Sequence, residues 1–377
     1  MGETGERGSV RPAIVFAASL AFPLLLAGAA WLGGWWLLLV PAAVWGGSSL
    51  LDVVLPVSTR NPDLHQSERA INWHVRLVQL WAPIQIVLIF GAIYAASLPG
   101  VFSVGEAVGL MLCVGVGTGT FGVVYAHELM HRPDNFSRWL AELILITVCY
   151  GHFMTEHLRV HHRYVGTPRD AATSRYQESL YRFLARVLPG SVGSAWRVEA
   201  DRLARRGKPV WSEANPFWRY LGGVGLCLVA AASIAGWFGI LLFLIQSLVA
   251  VILTECINFI QHYGLTRKHM GHGSYEHTRE HHSWNAPLPA TSALLINLQR
   301  HSDHHFKPER PYALLQTYPE SKAPRLPYGY PVMVAIAVSP QLWRWVMNRR
   351  VRHWRSEHYP DIEDWTPYDR GTLPLPK

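Results

Sequence analysis

With 377 residues, half of them hydrophobic, the chain is long enough for two soluble domains or one membrane domain. Its four cysteines, Cys113, Cys149, Cys227 and Cys256, stand apart in apolar surroundings with no C-x-x-C pair. They read as core packing and exclude a cysteine-ligated iron–sulfur or rubredoxin-type module within this chain. The formal charge of +8 reads first as membrane topology rather than as a nucleic-acid surface, and no nucleic-acid partner is expected.

Stretches almost free of charge run from Ala13 to Ala30, Trp35 to Leu55, Leu77 to Leu98, Val104 to Ala126 and Phe217 to Thr254, the last broken by Gly236. Each approaches or exceeds the roughly 20 residues that cross a bilayer, so about six spans in three tight hairpins are expected. The first span is followed almost at once by a second through Trp31-Leu32-Gly33-Gly34, which reads as an anchor hairpin rather than a cleaved signal. The turns at 31–34, 98–103 and 236–239 carry no Lys or Arg, whereas segments 56–76, 127–216 and 263–377 carry nearly all of them. The positive-inside rule then makes those segments and the N-terminus cytoplasmic, in a multi-pass protein of the cell inner membrane.

Between the spans, Arg60-Asn61-Pro62-Asp63 reads as a turn. Segment 138–150 is too short to cross and is expected to lie at the interface or re-enter as a helix. Region 196–212 alternates Trp196, Val198, Leu203 and Trp211 with Arg197, Arg202, Arg205, Arg206 and Lys208. It is expected to form a basic amphipathic helix on the cytoplasmic leaflet, with docking of an acidic electron carrier as the alternative. The whole chain, 1–377, reads as one all-α integral-membrane domain. Within it, 1–60 is the anchor hairpin, 61–335 the catalytic core and 336–377 a cytoplasmic tail.

The informative feature is where the 19 histidines fall. His127-Glu128-Leu129-Met130-His131, His157-Leu158-Arg159-Val160-His161-His162 and His301-Ser302-Asp303-His304-His305 are three boxes at helical spacing. On a helix, i, i+3 and i+4 share a face, so each box aims at least two imidazoles at one point, and an adjacent His reaches a second point. That suits two nearby metal ions at one membrane face, although imidazole suits Zn, Cu, Fe and Ni alike. Two rival readings follow from parts of the pattern. His127-Glu128-x-x-His131 taken alone is the H-E-x-x-H of a zinc metalloprotease, but a mononuclear site leaves two boxes idle. A metal-ion transporter places its ligands near the middle of its spans, where this chain has no histidine.

The motifs HELMHR at 127–132, EHLRVHH at 156–162 and LQRHSDHHFKP at 298–308 resemble those of the membrane alkane 1-monooxygenases and the xylene-type methyl hydroxylases. These belong to the histidine-box desaturase and hydroxylase superfamily. NFIQHYGL at 258–265, EHHSWN at 280–285, GYPVM at 329–333 and ARRGKPVW at 204–211 extend the resemblance from about Asn61 to Met333. The resemblance implies a six-helix membrane domain with a cytoplasmic histidine-rich di-iron cap, dioxygen as co-substrate, and electrons from an external rubredoxin or ferredoxin-type reductase. Carried onto matching positions, the implied ligands of two iron ions are His127, His131, His157, His161, His162, His262, His301, His304 and His305. Their division between the irons stays open. Where the alkane enzymes usually have Glu before the fourth-motif His, this chain has Gln261, a departure that leans toward the aromatic-methyl branch.

The expected reaction is hydroxylation of the terminal methyl of a medium-chain alkane to the primary alcohol. The alternatives are a methyl on an aromatic ring and, after that, hydroxylation or desaturation of an acyl lipid. Glu128 and Asp303 are expected to hydrogen-bond ligand imidazoles, with Asn258 as a weaker candidate for the same duty. His277, His281 and His282 form a further H-x-x-x-H-H, read as loop or support, and His65, His74, His152, His269 and His272 as ordinary isolated histidines. An apolar substrate from the membrane lipid offers no hydrogen-bond handle, so an apolar channel must select it. Trp36, Trp45, Phe90 and Tyr94 are candidates to line that channel.

Overall fold

Five helices in the computed structural model, which describes residues 9–57 and 60–376, are long and apolar enough to cross a membrane. They are α1 (Ala13–Leu32), α2 (Gly34–Val54), α3 (Arg69–Ser97), α4 (Val104–Met130) and, further on, Phe217–His262. The last is two arms, because Ala235 (φ −140°, ψ 24°) and Gly236 (φ 59°, ψ −146°) leave helical geometry. A Cβ on Gly239 would fall 2.1 Å from the Ala231 carbonyl oxygen, a proximity that a straight helix does not allow and a tight hairpin does. Six crossing segments therefore form a multi-pass membrane protein. Exposed Trp31, Trp35 and Trp237 mark one end of the bundle, and exposed Trp73, Trp139, Trp211 and Trp218 the other, as aromatic belts do.

Two of the spans run further than the apolar stretches suggested. α4 continues through Met130 and the long helix through His262, so the first histidine box and His262 sit on rigid extensions of membrane helices. After α4 come α5 (Asn135–Ile146), α6 and α7 (Leu180–Ala204). α6 is built of Phe153–Glu156, a π turn at His157–His161 and His162–Tyr164. α5 turns into the bundle: the Gln85 amide donates to the Ile144 carbonyl (3.2 Å) and the Gln246 amide to the Thr147 carbonyl (2.9 Å). The basic helix expected over 196–212 ends instead at Ala204, because Gly207 takes φ +67° and Pro209 cannot continue a helical ladder.

Close approach of α4 to the second arm of α8 (Phe217–His262) depends on small residues. A Cβ on Gly115 would lie 2.6 Å from that of Val249, and one on Gly119 would lie 2.9 Å from the Ala250 Cα. Spaced four apart on one face, these glycines let two backbones pack without side chains between them. After α8 follow a hairpin β1 (His269–Gly271) and β2 (Ser274–Tyr275), then α9 (Pro289–Leu294), α10 (His301–Phe306), α11 (Tyr330–Ala337), α12 (Pro340–His358) and α13 (Thr366–Arg370). The segment expected as a polar tail is packed: α12 buries Trp343, Met347, Val351 and Trp354, a stripe at helical spacing, with Trp343 against Phe259 and Tyr263.

The first hairpin does more than anchor the chain. Buried Asp52, near the end of α2, accepts from Ala290 N (2.7 Å), Thr291 N (3.1 Å) and Thr291 Oγ1 (2.7 Å), capping α9 from another part of the chain. Leu288, at the cap position of α9, has no side-chain acceptor. Asp52→Ala is therefore expected to cost about 0.5–2 kcal/mol, the range for losing a helix cap, read as a lower midpoint of thermal unfolding in detergent. An unchanged midpoint would show the cap to be dispensable.

Candidate metal centre

Nine histidines converge at one end of these helices in two groups. His127, His131, His157, His162 and His304 form one, and His161, His262, His301 and His305 the other, with the nitrogens of each group all within 4.8 Å of one another. The two groups cut across the boxes. In the first box and the third, the i, i+4 pairs His127/His131 and His301/His305 stay together, as a helix dictates. In the second, the π turn at His157–His161 adds a residue to the turn, so His157 pairs with His162 and sends His161 to the other group. A π turn is invisible to an i, i+4 argument.

Ring nitrogens approach each other closely. Nε2 to Nε2 separations are 3.1 Å for His131 to His157, 2.9 Å for His157 to His162 and 3.1 Å for His162 to His304. In the second group they are 3.1 Å for His262 to His301 and 3.0 Å for His301 to His305. A neutral imidazole carries one ring hydrogen, so His162 Nε2 cannot satisfy both of its neighbours by donating. Separations near 3 Å are instead the edges of a polyhedron of nitrogens about 2.0–2.1 Å from a central ion. His127 Nε2 and His161 Nε2 are buried without any partner. The residues present thus fit metal ions held by imidazole alone.

The electrostatics agree. Burial foremost, then the neighbouring His161, pushes the His131 imidazolium down to about 3. Burial and the neighbouring rings hold His157, His162, His301, His304 and His305 well below the ordinary histidine value. All stay neutral near pH 7, with lone pairs free for ligation.

Segment 103–337 matches the fatty acid desaturase family. Over 349 residues the chain is 37% identical to an alkane 1-monooxygenase of Pseudomonas aeruginosa, covering 90% of this chain and 89% of that one. The identity is 39% over 334 residues with an alkane 1-monooxygenase of Alcanivorax borkumensis, covering 85% and 80%. This chain belongs to the alkane 1-monooxygenase family. A xylene/toluene monooxygenase hydroxylase component from Pseudomonas putida is more distant, 27% identical over 332 residues, 86% of this chain and 85% of the relative.

Support around the histidines differs from the sequence expectation. Glu128 accepts from Tyr312 N (3.2 Å), and the Asn258 amide donates to Glu255 (3.3 Å to each oxygen). Asp303 accepts from Arg310 (2.5 Å), the Tyr318 hydroxyl (2.5 Å) and Gln316 N (2.8 Å), so it holds the loop after the third box. The carboxylate that meets an imidazole is Asp170, unremarked in the sequence: His161 Nδ1 donates to its Oδ2 over 3.0 Å. Burial pushes Asp170 up, but His161 and the Thr173 hydroxyl more than offset this and hold it below the ordinary carboxylate value. The only sequence signal was its place nine residues after His161, in a turn.

Asp170→Asn is expected to weaken metal binding about 10–100-fold, the usual effect of removing such a partner. Competition against a chelator of known affinity measures it, and unchanged metal retention would exclude the role.

Glu276, His281 and His282 also lie together, but chemistry argues against an ion there. His282 Nδ1 accepts from Arg279 N (2.8 Å), so its hydrogen sits on Nε2, which donates to the Tyr359 hydroxyl (2.8 Å) instead of ligating. His277 is exposed. Beside the histidines lies a cavity of about 40 Å³ bordered by His127, His157, His301, Phe153 and Asn258. A second, of about 60 Å³, reaches to Trp45, Ser48 and Val334. Gly119, Val124, Ile257 and Leu298 are in the walls of both. Of the aromatics expected along a channel, Trp45 lines one, whereas Trp36 and Tyr94 are exposed and Phe90 stacks on Phe243.

Proposed function

We propose that this chain hydroxylates the terminal methyl group of a medium-chain alkane to the primary alcohol at two iron ions. His127, His131, His157, His162 and His304 would hold one ion and His161, His262, His301 and His305 the other. The observation that carries the reading is two all-histidine groups beside a largely apolar cavity that shares its wall with a second cavity between membrane helices. The overall change is R–CH₃ + O₂ + 2e⁻ + 2H⁺ → R–CH₂OH + H₂O, with the electrons from an external rubredoxin or ferredoxin-type reductase.

Bound iron supplies the activation of dioxygen, while the protein supplies access and orientation. Val124, Ile257 and Leu298 are apolar walls that hold a hydrocarbon chain in line with the histidines. Asp170 fixes the His161 ring with Nε2 turned toward its group. The excess of Lys and Arg on the histidine side supports a cytoplasmic site in the inner membrane, where reduced carriers are available. The packed C-terminal helix supports reading the chain as one domain, with 61–335 as its catalytic core.

The test is product formation by cells expressing the protein with a rubredoxin and its reductase, and separately with a ferredoxin-type reductase. They are offered n-octane and p-xylene together under ¹⁸O₂. Labelled 1-octanol as main product supports the alkane reading. Labelled methylbenzyl alcohol would favour the aromatic-methyl reading that Gln261 suggests, and neither product, with both donors active and iron present, would sink both.

A further inference from the structure

Each hydroxylation consumes two protons, and nine neutral imidazoles that spend their lone pairs on metal have none to give. An acid must therefore reach the cavity from elsewhere. Three polar side chains that are not histidines line the cavity beside His127, His157 and His301: Thr254, Asn258 and Gln261. Thr254 donates back to the Ala250 carbonyl (2.9 Å), and the Gln261 amide donates to the Tyr330 hydroxyl (2.8 Å). Asn258 alone of the three leads to a carboxyl group, donating to both oxygens of Glu255 at 3.3 Å.

Glu255 is 1% exposed, within the second arm of α8, and among the described residues no lysine or arginine pairs with it. The titratable groups near it are Asp170, Glu156 and His161. A carboxyl buried at membrane depth without a counter-ion is costly and marks a functional position by default. Its other partner is the Tyr150 hydroxyl, in the loop after α5. The Tyr150 ring lies edge-on to half-buried His152, with centroids 4.8 Å apart, and His152 Nε2 is 3.3 Å from the Ser191 hydroxyl. A hydrogen-bonded line thus runs from Tyr150 through Glu255 to Asn258 in the cavity wall, with His152 and Ser191 beside its outer end.

We propose that this line delivers the protons of dioxygen reduction, with Glu255 as the proton-delivery residue and Asn258, which borders the cavity, holding its carboxyl. The inference rests on the hydroxylase reading above. The Glu255 O–H bond breaks and an O–H bond forms on the oxygen that leaves as water. The last hop crosses the cavity by way of water, for which about 40 Å³ is room enough. Tyr150 then reprotonates the carboxylate and recovers its own proton from water on the His152 side. The two electrons come from the external carrier protein and two more from the C–H bond.

Glu255→Gln keeps an oxygen to accept from Tyr150 while removing the transferable proton, and Tyr150→Phe cuts the line one step earlier. Full-length wild type and both variants are compared in lipid nanodiscs, with iron content, alcohol formed per NADH, peroxide released and rates in H₂O and D₂O. Glu255→Gln is expected to keep wild-type iron and alkane KM. Its turnover should fall at least about 100-fold, the low end of what positioned acids contribute, with a larger solvent isotope effect and more peroxide per NADH. Tyr150→Phe should shift the same readouts in the same direction. Wild-type rate, coupling and isotope effect in Glu255→Gln would overturn the proposal, as would a loss of iron in proportion to the loss of activity. Independently of turnover, infrared difference spectra of the metal-free protein in H₂O and D₂O should show a protonated-carboxyl band that Glu255→Gln removes. A wild type that makes no alcohol sinks the functional reading. The band is scored regardless, and its absence from wild type overturns the proton-delivery role.

Discussion

His304→Ala and His305→Ala are both expected to end alcohol formation, each by more than about 100-fold, yet to differ in what metal they keep. A ligand should matter more than its hydrogen-bond partner, whose loss alone costs about 10–100-fold. The two histidines are adjacent in sequence but belong to different groups. His304 leaves four imidazoles behind in a group of five, whereas His305 leaves three in a group of four. The His305 variant should therefore lose one ion on dialysis against a mild chelator under conditions in which the His304 variant retains both. Elemental analysis of iron per chain decides the matter. Equal retention by the two variants would overturn the five-and-four division, and full activity in either would remove that residue from the ligand set.

Narrowing the passage should damage turnover without touching the metal. Ile257 lies in the wall shared by the two cavities, five residues before His262 on α8. Ile257→Phe is expected to cut kcat/KM for n-octane by at least about tenfold with iron content unchanged, because excluding even one methylene costs about 1–3 kcal/mol. Shorter alkanes should suffer less. The converse holds at the far end, where truncating the indole in Trp45→Ala lengthens the outer cavity and should raise activity on longer chains relative to octane. A panel of alkanes from hexane to hexadecane, assayed with each variant, reads both effects. A uniform loss across chain lengths would mean that Ile257 supports the fold and does not limit the substrate.

The sequence alone carried much of this. Runs of apolar residues long enough to cross a bilayer mark membrane helices because a bilayer leaves backbone groups no other way to be satisfied. The boxes at 127–131, 157–162 and 301–305 were legible for a related reason: histidine is rare in apolar segments unless it has work to do. Resemblance then added His262, which stands alone and carries no spacing signal of its own.

Tertiary structure decided what spacing cannot encode. The π turn that sends His157 and His161 to different groups depends on packing of α6 against its neighbours, and one extra residue per turn leaves no mark on an i, i+4 pattern. Asp170 and Glu255 look like any other acid until folding carries one to His161 and the other to Tyr150 and Asn258. The expectations for Glu128 and Asp303 pointed elsewhere because sequence proximity to a ligand says nothing of side-chain direction. On a helix, the residue next to an inward histidine is rotated about 100° away, toward Tyr312 N for Glu128 and toward Arg310 for Asp303. Local periodicity thus determined which histidines could act, and long-range contacts determined which carboxylates support them.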